Sequence, residues 1–173
     1  MFLDKKSFES DAELAAWQLH INTAHMLKND IVAQYMADLS EASIEVVFCT
    51  HILKLGGGRK CAIIRKVANE LKFYLERYYD NPIQFLIKVD YRIWERFTDH
   101  QRKAVIHHEL KHVKGEYDEK SQELKRNKKG EIVWHLVPHD KEEFEEVEKI
   151  YGGDWNVLPE DVVEFTGEKK NEV

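Results

Sequence analysis

His108-Glu109-Leu110-Lys111-His112 carries the residue types and the spacing of an H-E-x-x-H motif. On an α-helix, residues four apart differ by about 40° around the axis, so two imidazoles at this spacing share a face and can bind one Zn2+. The glutamate beside the first histidine is placed to take a proton from a water on such a metal. That is the chemistry of metal-assisted hydrolysis. A shuffled chain of this composition contains the motif about one time in twenty, so its surroundings must decide.

The surroundings specify a helix. Thr98-Asp99-His100-Gln101 reads as a capping box, with Thr98 at the N-cap and Gln101 at N3. Asp99 adds a negative charge in the first turn, where the helix dipole favours it. Ala104, Val105, Leu110 and Val113 supply apolar positions, and Gly115, after Lys111 and Lys114, reads as the C′ residue that ends the helix. His107 is about 140° from His112, off the ligand face, and is expected to pack or to lie on the surface. Lys111 and Lys114 are also off that face and are expected to point to solvent.

A catalytic zinc needs three protein ligands and one open position. Asp118 would complete H-E-x-x-H-x-x-G-x-x-D, but that arrangement needs a downstream methionine under the metal, and Met1, Met26 and Met36 all lie upstream. Glu142, Glu143, Glu145 and Glu146 would give a carboxylate from a later helix, although such a run is usually a solvated face. His135 lies on an expected strand. His139, in Pro138-His139-Asp140 before a helix start, is the favoured third ligand, with Asp140 able to orient its imidazole.

The elements that must position these groups read as follows. Residues 8–38 are helical, with a candidate break at Asn29-Asp30. Residues 43–50 and Phe85–Val89 are β-rich strands, and Lys60–Val67 is a strand or the start of a helix. Gly56–Gly58 form a turn, and Glu70–Tyr79 have helical spacing. A turn with Trp94 and Phe97, expected in the core, leads into the motif helix. Glu123–Arg126 and Glu131–Val137 flank a hairpin turn at Asn127-Lys128-Lys129-Gly130. Asp140, with Glu143 at N3, is expected to cap a last helix that Gly152-Gly153 ends.

Composition bounds the rest. A chain of 173 residues, 43% hydrophobic and 34% charged, is one domain with a real core and room for an appended arm. A net charge of −6 argues against nucleic-acid binding by the whole surface. The cations Lys125, Arg126, Lys128 and Lys129 leave a local phosphate contact open, with a solvated turn as the plainer reading. Cys49 and Cys61 make no disulfide framework and are expected to be reduced thiols. The start at Met1 has no apolar signal region, and no apolar run is long enough to span a membrane, so a cytoplasmic protein is expected. Tyr117 and Tyr151 are candidate phenol donors to an oxyanion.

The run Gln101–His112, taken with His139-Asp140-Lys141-Glu142-Glu143-Phe144 and Tyr151-Gly152, resembles the phage metallopeptidase domain family. That family is in turn similar to SprT-like zincins. The resemblance covers roughly residues 43–155. It implies Zn2+ held by His108, His112 and His139, Glu109 as general base, and a protein or peptide substrate. The expected fold is α+β and zincin-like, a small β-sheet packed on the motif helix. Its expected parts are an N-terminal helical arm (1–40), a metallopeptidase domain (41–166) and a polar tail (167–173). The rival reading is a zinc-binding phage protein that acts by binding, for example as an inhibitor of a host defence.

Overall fold

The computed structural model of the chain describes residues 11–51, 53–55, 58–75, 77, 82–119, 121–138 and 144–157. Helix α1 (Asp11–Tyr35) is followed by a 3-10 turn, Ala37–Glu41. Strand β1 (Ile44–Cys49) leads to the small hairpin β2 (Leu53–Leu55) and β3 (Gly58–Lys60), then to β4 (Ala62–Lys66), α2 (Asn69–Leu75) and β5 (Phe85–Asp90). One turn of helix, α3 (Tyr91–Trp94), precedes α4 (Asp99–Lys111), which carries the motif. Strands β6 (Val113–Gly115) and β7 (Trp134–Leu136) and helix α5 (Glu145–Tyr151) complete the described elements. The fold is mixed α+β, with five helices and small sheets among the described residues.

The main sheet has the order β1-β5-β4, parallel between β1 and β5 and antiparallel between β5 and β4. Its register pairs Val46 with Ile87 and Ile87 with Ile64. Directly paired residues point to the same side of a sheet. One face therefore carries Ile44, Val46, Phe85, Ile87, Val89 and Ala62, all buried. Helix α1 lays Trp17, Ala24 and Ile31, spaced by seven, into the core. It is a single helix through Asn29-Asp30, where both side chains are exposed and Ile31 holds the packing on the next residue.

Helix α4 packs against α1, β4 and α5. Its residues from Ala104 to Leu110 are buried without interruption. A helix covered on all sides is normally apolar all round, yet this one buries His107, His108 and Glu109. Burying two imidazoles and a carboxyl on one helix is unfavourable, which marks this turn as built for a purpose other than packing. Trp94 and Phe97 are in the core, as expected. Lys60–Val67, open between strand and helix from sequence, forms β4.

Candidate metal centre

The capping box that sets the start of α4 forms as expected. The Gln101 amide donates to Thr98 Oγ1 at 3.2 Å, and the Thr98 amide donates to Gln101 Oε1 at 3.1 Å. Arg102 ties this end to α3, donating from Nε to the Trp94 carbonyl and from Nη2 to the Glu95 carbonyl, both at 3.0 Å. At the other end the helix stops at Lys111. His112 caps it with φ −67° and ψ −22°, so the helical offset between His108 and His112 is kept. Their ring centroids lie 5.2 Å apart.

Gly115 does not end the helix. It lies on β6, opposite Trp134 of β7. A Cβ at this position would sit 2.3 Å from Leu124 Cδ2 and 3.2 Å from Trp134 Cζ3. The glycine is there to let Leu124 and Trp134 close over the strand, a packing demand that capping rules do not detect.

His112 Nδ1 lies 2.7 Å from the Val137 carbonyl oxygen. A carbonyl only accepts, so Nδ1 carries the proton and Nε2 keeps its lone pair. The Val137 amide donates back to the His112 carbonyl at 2.8 Å. Phe144 sets its ring against both imidazoles, 4.8 Å from His112 and 5.4 Å from His108, and Trp155 lies 5.1 Å from His108. His108, Glu109 and His112 open onto a cleft of about 170 Å³. Its opposite wall is Ala62, Ile63 and Ile64 of β4, with Lys60 and Leu136 at the sides. An imidazole pair with one tautomer fixed through its outer nitrogen is a donor set that suits a nitrogen-preferring divalent metal.

The candidate third ligands separate. Asp118 is exposed, and its carboxylate accepts from the Ser121 amide and hydroxyl in a local turn. His135 is exposed on β7, next to Leu136, which lines the cleft. Alternation along the strand turns His135 the other way. Glu146 is ion-paired with Lys111. His139, Asp140, Glu142 and Glu143 lie outside the described residues. Among the described residues, no three His, Cys, Asp or Glu side chains are grouped to hold a metal ion. Helix α5 runs from Glu145 with Phe144 as its N-cap in extended conformation, and the cap expected at Asp140 and Glu143 lies outside the described residues.

His107 points away from the cleft, as its place on the helix predicts. It is fully buried, stacks on Tyr35 at 5.0 Å and hydrogen-bonds through Nδ1 to the Tyr151 hydroxyl at 3.2 Å. Burial lowers its pKa to about 4, so it is neutral, and burial also raises the Tyr151 phenol to about 12. Tyr151 thus serves α5 docking, and neither it nor Tyr117 lines the cleft. Lys111 does not point to solvent: its ammonium bridges α4 to Glu146 of α5 and holds that carboxyl below its ordinary range. Within the basic hairpin, Lys125 pairs with Glu116 and Arg126 with Glu41. Cys49 and Cys61 form no disulfide.

Sequence reasoning found the histidine pair and the buried glutamate between them. It missed the Val137 carbonyl, the Phe144 ring and the β4 wall. Backbone carbonyls leave no residue-type signal, and a buried strand reads the same whether or not it borders a cleft.

A buried His-Glu-His turn of helix thus faces a cleft beside the edge strand β4. The chain belongs to the family described as Putative phage metallopeptidase, whose match spans residues 20–166. The match begins within α1, further upstream than the motif resemblance reached. Comparison with the curated proteins and with the solved structures returns no match. Among the described residues, no helix is long and apolar enough to cross a membrane.

Proposed function

We propose that this chain is a zinc-dependent peptidase of the H-E-x-x-H type with a zincin-like active site. His108, His112 and His139 would hold the metal, and Glu109 is the general base. The observation that carries the reading is the fixed tautomer of His112, whose Nδ1 proton is spent on the Val137 carbonyl and whose Nε2 is left for a metal. The place of His139 in the chain supports it as third ligand. The segment around it leaves the described structure just after Val137, hydrogen-bonded to His112, and returns at Phe144, packed on the same ring.

A zinc ion held there would supply Lewis acidity, lowering the pKa of a bound water towards about 7. Glu109, 6% exposed, would accept the proton of the attacking water and return it to the leaving amine. The aromatic pair Phe144 and Trp155 holds the imidazoles in place and keeps bulk water from their rear. Residues 41–166 would carry this chemistry, with helix α1 packed against α4. Glu109→Gln tests the reading against a protein that only binds zinc. The variant is expected to keep zinc and to lose cleavage of a denatured protein such as casein by about 10²–10⁴-fold. Cleavage unchanged by the substitution would refute the proposal.

A further inference from the structure

Lys60, the last residue of β3, lines the cleft together with His108, Glu109 and His112. It is half-buried and makes no hydrogen bond or ion pair among the described residues. Two other half-buried lysines, Lys28 and Lys111, are satisfied internally, by the Ile44 carbonyl and by Glu146, whereas Lys60 is distinguished by lining the cleft. Glu109, the general base of the proposed reaction, is the carboxylate on this cleft; the rest of the wall, Ala62, Ile63, Ile64 and Leu136, is apolar. In a chain of net charge −6, residues 53–66 contain Lys54, Arg59, Lys60, Arg65 and Lys66 and no carboxylate. This stretch of the sequence is cationic while the chain as a whole is acidic, and Lys60 is its cation on the cleft.

A partly desolvated ammonium without a partner is unfavourable and attracts an anion. We infer that Lys60 is a specificity-determining residue that binds a substrate carboxylate close to the scissile bond. The carboxylate belongs to an Asp or Glu side chain or to a free chain terminus, both of which present the same two oxygens. The apolar β4 wall takes the neighbouring aliphatic part of the substrate. This inference rests on the peptidase reading above for the position of the scissile bond.

The test uses the zinc-loaded full chain with Glu109→Gln, so that bound peptides persist. Three fluorescent degenerate hexapeptide pools serve as probes: one with a fixed Glu and an amidated terminus, one with Gln in its place, and the Gln pool with a free terminal carboxylate. At least one carboxylate pool should bind about 10- to 100-fold more tightly than the neutral pool. Lys60→Gln should abolish the difference, and Lys60→Arg should restore most of it. Equal binding of all pools by the Lys60-containing chain overturns the inference without recourse to any Lys60 variant, as does a preference that survives Lys60→Gln. The same pools given to the chain with Glu109 intact separate the two readings. A carboxylate preference without cleavage refutes the peptidase and leaves Lys60 as an anion site. Cleavage without the preference refutes the role of Lys60 alone.

Discussion

His112 gives its Nδ1 proton to the Val137 carbonyl across 2.7 Å, and the Val137 amide returns a hydrogen bond to the His112 carbonyl at 2.8 Å. This two-way contact fixes both the ring tautomer and the path of the chain after β7. Val137→Pro keeps the carbonyl that accepts from Nδ1 but removes the amide donor that anchors it to His112, so the outer partner of the ring is displaced. Outer partners of a metal-bound histidine are typically worth 10- to 100-fold in metal affinity. Zinc affinity, measured by competition with a chromophoric chelator, is expected to fall by about that factor with the helical circular dichroism unchanged. Unaltered affinity would show that the Val137 contact does not organise the site.

How much of this was legible in the sequence depended on whether the determinant was local. The start of α4 was legible because Thr98 and Gln101 satisfy each other within four residues. The histidine face was legible because helical spacing alone puts His108 and His112 together. The end of α4 was misread at Gly115, since the demand for a glycine comes from Leu124 and Trp134, nine and nineteen residues downstream. Lys111 was read as solvated because its partner, Glu146, lies on another helix. Long-range packing overrode the local signal in each case.

Gly115→Ala puts a methyl group against Leu124 and Trp134. Overpacking of this kind costs about 1–3 kcal/mol. Chemical denaturation is expected to show that loss. The double variant Gly115→Ala/Leu124→Ala should lose less than the sum of its single variants, because truncating Leu124 removes the closest clash. Strict additivity would mean that the Gly115 contact is unimportant.

His107 gives the stability a pH dependence of defined sign. Its folded pKa is about 4, depressed by burial, whereas an unfolded histidine titrates near 6.5. Between these values the unfolded chain binds a proton that the folded chain does not. The contribution is therefore complete above about pH 6.5 and is lost as pH falls through 4. Wild type should lose about 1–3 kcal/mol of stability relative to His107→Gln over that window. Parallel stability curves for the two proteins would contradict the buried neutral imidazole.

The central claim is that the helix histidines and His139 hold one zinc ion. The most direct measurement is metal content by mass spectrometry after dialysis of metal-replete protein, for wild type and for His139→Ala, Asp118→Asn and His135→Ala. The account predicts about one zinc per chain in wild type, in Asp118→Asn and in His135→Ala, and loss of most of it in His139→Ala. Wild-type protein without zinc, or His139→Ala retaining it while Asp118→Asn or His135→Ala loses it, would contradict the account.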